Sequence, residues 1–89
     1  MHGVYVLVSR TDGRLYIGYS RDIKLRVAQH NAGKVPATKK RRPLTLVYCE
    51  LFSNQTDAMR RELYLKTGWG RNYLKRTLTE TFANKNLGG

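Results

Sequence analysis

The stretch GVYVLVSRTDGRLYIG, residues 3–18, sets two tyrosines, Tyr5 and Tyr16, on either side of an Asp12-Gly13 pair, with Gly18 two residues beyond the second. A phenol with its ordinary pKa near 10 is a poor base. It takes a proton from water only with help from a cation, a metal or a neighbouring base. Further along, RDIKLRVAQHN places Arg26 and His30 three and seven residues after Ile23. At helical spacing both fall on or beside the stripe of Ile23 and Val27 rather than on the side facing water. An arginine there requires a partner or a pocket: an ion pair with Asp22 is one solution, and an oxyanion, which its planar fork of donors suits, is another. His30, one turn beyond, can relay a proton or contact an anion. As a helix-end residue it can equally satisfy the terminal carbonyls. Together these groups could activate water and bind an anion, provided that the chain brings them to one place.

The elements that must do so are legible from periodicity. Val4, Val6 and Val8 alternate with Tyr5, Leu7 and Ser9, and Leu15, Ile17 and Tyr19 alternate with Tyr16, Gly18 and Ser20. Period-two patterning around Asp-Gly predicts a hairpin with strands near 3–9 and 14–19. One face carries Val4, Val6, Val8, Leu15, Ile17 and Tyr19; the other carries Tyr5 and Tyr16, with Gly18 leaving a gap. With Asp12 and Gly13 as central turn residues, Ser9 faces Tyr16, Leu7 faces Gly18 and Tyr5 faces Ser20. Tyr5 then lies four residues along from Ser9, about 13 Å at strand spacing. Convergence of the tyrosines requires side-chain lean, twist or an even-numbered register shift.

Ser20 can cap a helix running to about Ala32, with Gly33 as its stop. KVPATKKRR, residues 34–42, is a loop holding five cations in nine residues, and LTLVYCELF after Pro43 is a third strand, 44–52, of the kind expected at a central or covered position. SNQTDA caps a second helix, about 55–66, and GWGRNYLKRTLTETF supplies a third, about 70–82, buried along Leu74, Leu78 and Phe82. Trp69 is expected to pack between helices; stacking on an unpaired base is the alternative. The order ββαβαα predicts an α+β domain over 1–83, a small, mainly antiparallel three-stranded sheet flanked by about three helices, with a frayed tail at 84–89.

Composition narrows the partner. The 89 residues hold 17 lysines and arginines against 6 acids, a formal net charge of +11, and such a surface attracts polyanions, nucleic acid first. Cys49 is the only cysteine, so no internal disulfide forms and no thiolate metal centre is indicated. The apolar opening segment, Val4–Val8, is far below the roughly 20 residues that cross a bilayer. The expectation is a protein of the cytoplasm with no membrane contact.

GVY at Gly3-Val4-Tyr5 and YIG at Tyr16-Ile17-Gly18, about ten residues apart on paired strands, resemble the motifs that name the GIY-YIG nucleases. The likeness extends through RDIKLRVAQHN, RRPLTLVY, DAMRRE and KTGWGRNYLKR, roughly residues 3–78, and is similar to small standalone bacterial members and to the N-terminal nuclease domain of the excinuclease C subunit. It implies a three-stranded antiparallel sheet with flanking helices and metal-dependent phosphodiester cleavage, in a family that includes repair and recombination enzymes. Tyr5 and Tyr16 would position and activate water, with Tyr5 the base. Arg26 would bind the scissile phosphate, His30 would relay a proton, and Glu62 of DAMRRE would hold one Mg²⁺ or Mn²⁺, since one carboxylate with waters and substrate oxygens suffices; pairing with Lys66 is the other reading of that carboxylate. Asn72, ten residues after Glu62, is assigned no role. Lys34, Lys39, Lys40, Arg41, Arg42, Arg61, Arg71 and Lys75 would contact backbone phosphates, most simply of DNA, without reading sequence. No small-molecule cofactor is implied. The alternative is a nucleic-acid-binding module of the same fold with little or no catalysis.

Overall fold

The computed structural model describes residues 1–83; the expected frayed tail, 84–89, lies outside the described residues. Strands β1 (His2–Ser9), β2 (Leu15–Ser20) and β3 (Leu44–Phe52) form one antiparallel sheet in the order β2-β1-β3. Helices α1 (Ile23–Asn31), α2 (Gln55–Leu65), α3 (Gly68–Thr77) and α4 (Thr79–Ala83) flank it. The expected α+β class and three-stranded antiparallel sheet are both present.

The two faces of the hairpin divide the core as alternation predicts. Val4, Val6 and Ile17 pack with Ala58 and Leu65 of α2 and Leu74 of α3. Tyr5 and Leu7 point the other way, against Leu44, Ile23 and Val27, so that α1 covers the tyrosine face. Val4, Val6 and Leu7 are fully buried, and each such side chain contributes about 1.5–3 kcal/mol relative to exposure.

Register is where the expectation fails. Leu7, not Ser9, faces Tyr16; Gly18 faces Tyr5 and Ser20 faces Gly3, a shift of two residues. The cause is the loop. Ser9 Oγ accepts from the backbone N–H groups of Thr11 and Asp12, both at 3.1 Å, and Asp12 Oδ1 accepts from Arg14 N at 2.8 Å. Ser9 N donates to the Arg14 carbonyl, so the connection is four residues long rather than two, with Gly13 at φ +71°. These side-chain-closed turns compete successfully with a tight Asp-Gly turn. Because the slip is even, every side chain keeps its face.

Other boundaries move for equally local reasons. Asp22, not Ser20, caps α1, its carboxylate accepting from Leu25 N at 3.0 Å, while Gly33 at φ +78° follows the end of the helix as expected. β3 is an edge strand rather than a central one; β1 takes the centre by pairing on both sides. The expected third helix starts earlier, at Gly68, because Thr67 Oγ1 accepts from Gly70 N. It breaks at Leu78, beyond which the Thr79 hydroxyl donates back to the carbonyls of Lys75 and Arg76. Trp69, expected between helices, is 78% exposed. Gly70 accounts for this: a β-carbon there would stand 2.1 Å from the Tyr64 carbonyl oxygen, so α3 begins in backbone contact with the end of α2 and leaves no room for an indole between them.

Candidate active site

Tyr5 and Tyr16 meet because of the two-residue register shift. Tyr5 lies directly across from Gly18 and Tyr16 across from Leu7, which makes the tyrosines diagonal neighbours with ring centroids 6.4 Å apart. Gly18 is required by this arrangement: a β-carbon on it would stand 2.4 Å from the Tyr5 hydroxyl. The Tyr5 ring therefore lies over the backbone of Gly18.

His30 arrives from α1, edge-on to both phenols at 5.7 and 4.9 Å. Its Nε2 is 2.8 Å from the Tyr5 hydroxyl and its Nδ1 is 2.7 Å from Thr38 Oγ1. Tyr5, His30 and Thr38 are all buried, so the three form a continuous hydrogen-bonded chain away from bulk water. Thr38 escaped sequence reading. It lies eight residues after His30 in the basic loop, and only its burial beneath α1, together with that of Val35, shows that this loop is anchored to the core.

Burial depresses the His30 pKa, and the Arg26 guanidinium depresses it further, so the imidazole is neutral at pH 7. A neutral imidazole that donates from Nδ1 to Thr38 Oγ1 accepts a proton at Nε2 from Tyr5. In the other tautomer Nε2 donates to Tyr5 and directs the phenol's own proton elsewhere. Burial also raises the Tyr5 pKa above its ordinary value, while the nearby Arg26 guanidinium opposes the rise. Tyr5 is thus a phenol, and in the first tautomer its proton has a route toward His30.

Arg26 is half-buried and makes no ion pair with Asp22, whose carboxylate is used in capping α1; its Nη1 donates to Gln29 Oε1 at 3.2 Å. Its charge is felt at both Tyr5 and His30. Glu62, on α2, is near enough to contribute to the field at Tyr5. Its Oε2 pairs with Lys66 Nζ at 3.1 Å, and the carboxylate is 17% exposed. Among the described residues no three His, Cys, Asp or Glu side chains cluster, and Oε1 of Glu62 has no hydrogen-bonding partner. One half-free carboxylate fits a hard cation that keeps most of its waters, as Mg²⁺ does. It does not fit a dehydrated, multi-carboxylate or zinc site.

The predicted phosphate contacts separate into two kinds. Lys34, Lys39, Lys40 and Arg42 are exposed, and the last three, with Asn31 and Pro43, line a cavity of about 410 Å³. Arg71 and Lys75 are exposed on one side of α3. Arg41 and Arg61 are already engaged. Arg41 Nε donates to Asp12 Oδ2 at 2.7 Å and ties the basic loop to the hairpin. Arg61 forms a bidentate pair with Glu50, at 2.9 and 3.0 Å, and lies over the rings of Tyr64 and Tyr73. Tyr48, bonded to both Glu50 and Tyr73, completes a network joining β3, α2 and α3.

The family model of the GIY-YIG catalytic domain matches residues 1–75. The chain belongs to the GIY-YIG nuclease family. A UPF0213 protein of Staphylococcus haemolyticus is 49% identical over 67 residues, covering 74% of this chain and 80% of that one. A UPF0213 protein of Staphylococcus aureus is 45% identical over the same coverage. The solution structure of the UPF0213 protein BH0048 of Bacillus halodurans is similar with a TM-score of 0.55 and 30% identity, covering 96% of this chain and 89% of that one. Like these small relatives, the chain carries a GIY-YIG domain over most of its length. Among the described residues no helix is long and apolar enough to cross a membrane.

Proposed function

We propose that the protein is a divalent-metal-dependent endonuclease that hydrolyses phosphodiester bonds of DNA. The observation that carries this reading is the buried Tyr5-His30-Thr38 chain packed against Tyr16, in the field of Arg26 and Glu62. A neutral imidazole held at both nitrogens beneath two phenols is placed to take a proton from the Tyr5 hydroxyl near pH 7, which supports this reading.

Tyr16, on the accessible side of the pair, orients the attacking water. Tyr5 accepts its proton while passing its own to Nε2 of His30, whose depressed pKa keeps it available as acceptor. Thr38 Oγ1 fixes the ring through Nδ1. Arg26 binds the non-bridging phosphoryl oxygens and stabilises charge that builds there in the transition state. Glu62 would hold the metal ion, which when bound would supply Lewis-acid polarisation of the phosphate and would stabilise the leaving oxygen. The exposed cations give affinity without sequence selectivity.

Substitution tests the roles separately. With a labelled duplex and a branched DNA substrate, Tyr5→Phe and Arg26→Ala each reduce single-turnover cleavage by about 100-fold or more with duplex affinity changed less than about threefold. Retention of wild-type cleavage by both variants refutes the assignment.

A further inference from the structure

The hairpin loop and α3 enclose a cleft that the tyrosine site does not use. Its polar half, a cavity of about 390 Å³, is walled by Arg14, Arg71 and Lys75, with the Asp12–Arg41 pair and Gly13 at its rim. Its apolar half, about 420 Å³, shares Gly13, Leu15 and Lys75 and continues along Phe82 of α4. The single carboxylate among the described residues lining it, Asp12, is taken up by Arg41 at 2.7 Å. Arg14, Arg71 and Lys75 have no acidic partner within 4.0 Å among the described residues. Three uncompensated cations from two elements facing one concavity repel one another, and an oxyanion between them removes that repulsion. The apolar wall directly beside them is a surface for a ring or sugar, and each half lies within the size range of small-ligand pockets.

We propose that this cleft is a nucleotide subsite, which takes a backbone phosphate of the bound strand on Arg14, Arg71 and Lys75 and the attached sugar or base against Leu15 and Phe82. Leu15 immediately precedes Tyr16 on β2 and points to the opposite face of the sheet, so a strand crossing the β2 edge reaches both places. The subsite therefore anchors the substrate beside the scissile phosphate. This inference rests on the nuclease reading only in taking the anion to be nucleic acid.

Salt-dependent binding of a labelled single-stranded oligodeoxynucleotide, a duplex of equal length and inorganic polyphosphate tests it. Losing two phosphate contacts reduces the slope of log affinity against log salt by about 1.4–1.8 and the affinity lost between about 50 and 200 mM salt by roughly tenfold. Arg71→Ala/Lys75→Ala should show that change, while the charge-matched pair Arg10→Ala/Lys24→Ala, outside the cleft, should show less than half of it. Phe82→Leu should weaken oligonucleotide binding severalfold and leave polyphosphate binding unaltered, which distinguishes a nucleotide from a bare phosphate. Equal slopes for the two double variants, or a Phe82→Leu effect as large on polyphosphate, overturns the subsite. If the slopes differ but no DNA is cut, the nuclease reading fails and the subsite stands. If Arg26→Ala abolishes cutting while the slopes match, the reverse holds.

Discussion

Tyr5 lies across the β1–β2 ladder from Gly18, with its hydroxyl where a β-carbon of residue 18 would be, 2.4 Å away. The last letter of the YIG motif is therefore a space filled by the first tyrosine, and that contact holds the phenol against His30 at 2.8 Å. Gly18→Ala must push the ring out of this position. Cleavage should fall about 100-fold, the usual scale for displacement of a reacting group by about 1 Å, and stability should drop by about 1–3 kcal/mol from overpacking. Single-turnover kinetics and thermal denaturation of the same sample check both parts.

The pH dependence follows from His30. Its pKa is depressed in the folded protein, so below an unfolded value near 6.5 the unfolded chain binds more protons than the native one. Stability should be at its plateau above that pH and decline as pH falls through 6.5 and on to the lower native value. Cleavage should show an acid limb in the same window, because a protonated His30 cannot accept from Tyr5. Tyr5, raised by burial, adds no limb below pH 10. An acid limb centred above 6.5 contradicts the assignment; rate profiles and melting temperatures across pH 4–8 measure it.

In the proposed mechanism Thr38 acts through His30 rather than on substrate. Thr38→Val keeps the shape of the side chain and removes its hydroxyl, leaving Nδ1 without a partner. Cleavage should fall about tenfold or more with a shifted acid limb, as expected for loss of a group that orients a functional imidazole, whereas Thr38→Ser should restore both. A merely structural threonine would move stability and leave the pH profile in place.

The two glycines of GWG should behave oppositely. At Gly70 a β-carbon would meet the Tyr64 carbonyl oxygen at 2.1 Å and Leu65 Cα at 2.4 Å, whereas at Gly68 nothing lies within 4 Å. Neither has a positive φ. Gly70→Ala should destabilise by about 1–3 kcal/mol, and Gly68→Ala should be neutral or stabilise by up to about 1 kcal/mol. Urea denaturation distinguishes them.

What the sequence displays is local, and what it conceals depends on distant partners. Alternation in VYVLV and LYIGY assigns the sheet faces because period two needs no other information. The register depends on Ser9 closing a four-residue loop, which Asp12-Gly13 alone does not disclose. LTLVYCELF reads as a covered strand from its composition, yet its edge position follows from β1 pairing on both sides. Spacing also locates Arg26 and His30 on the inward side of α1. Thr38 is invisible until the basic loop folds beneath that helix, and Arg61 reads as a free cation until Glu50 is brought across from β3. Gly70 reads only as the start of a helix, about 70–82, and proves to be the close approach that turns Trp69 outward.

The central claim is that Tyr5, Tyr16, Arg26 and Glu62 form one metal-dependent hydrolytic site. The most direct measurement is cleavage of a panel of single-stranded, duplex and branched DNA, with and without Mn²⁺, by the wild-type protein and by Glu62→Ala. Cleavage of at least one substrate that requires Mn²⁺ and is lost in Glu62→Ala is the expected result; a panel left intact by the wild-type protein with Mn²⁺, or cut equally by Glu62→Ala, contradicts it.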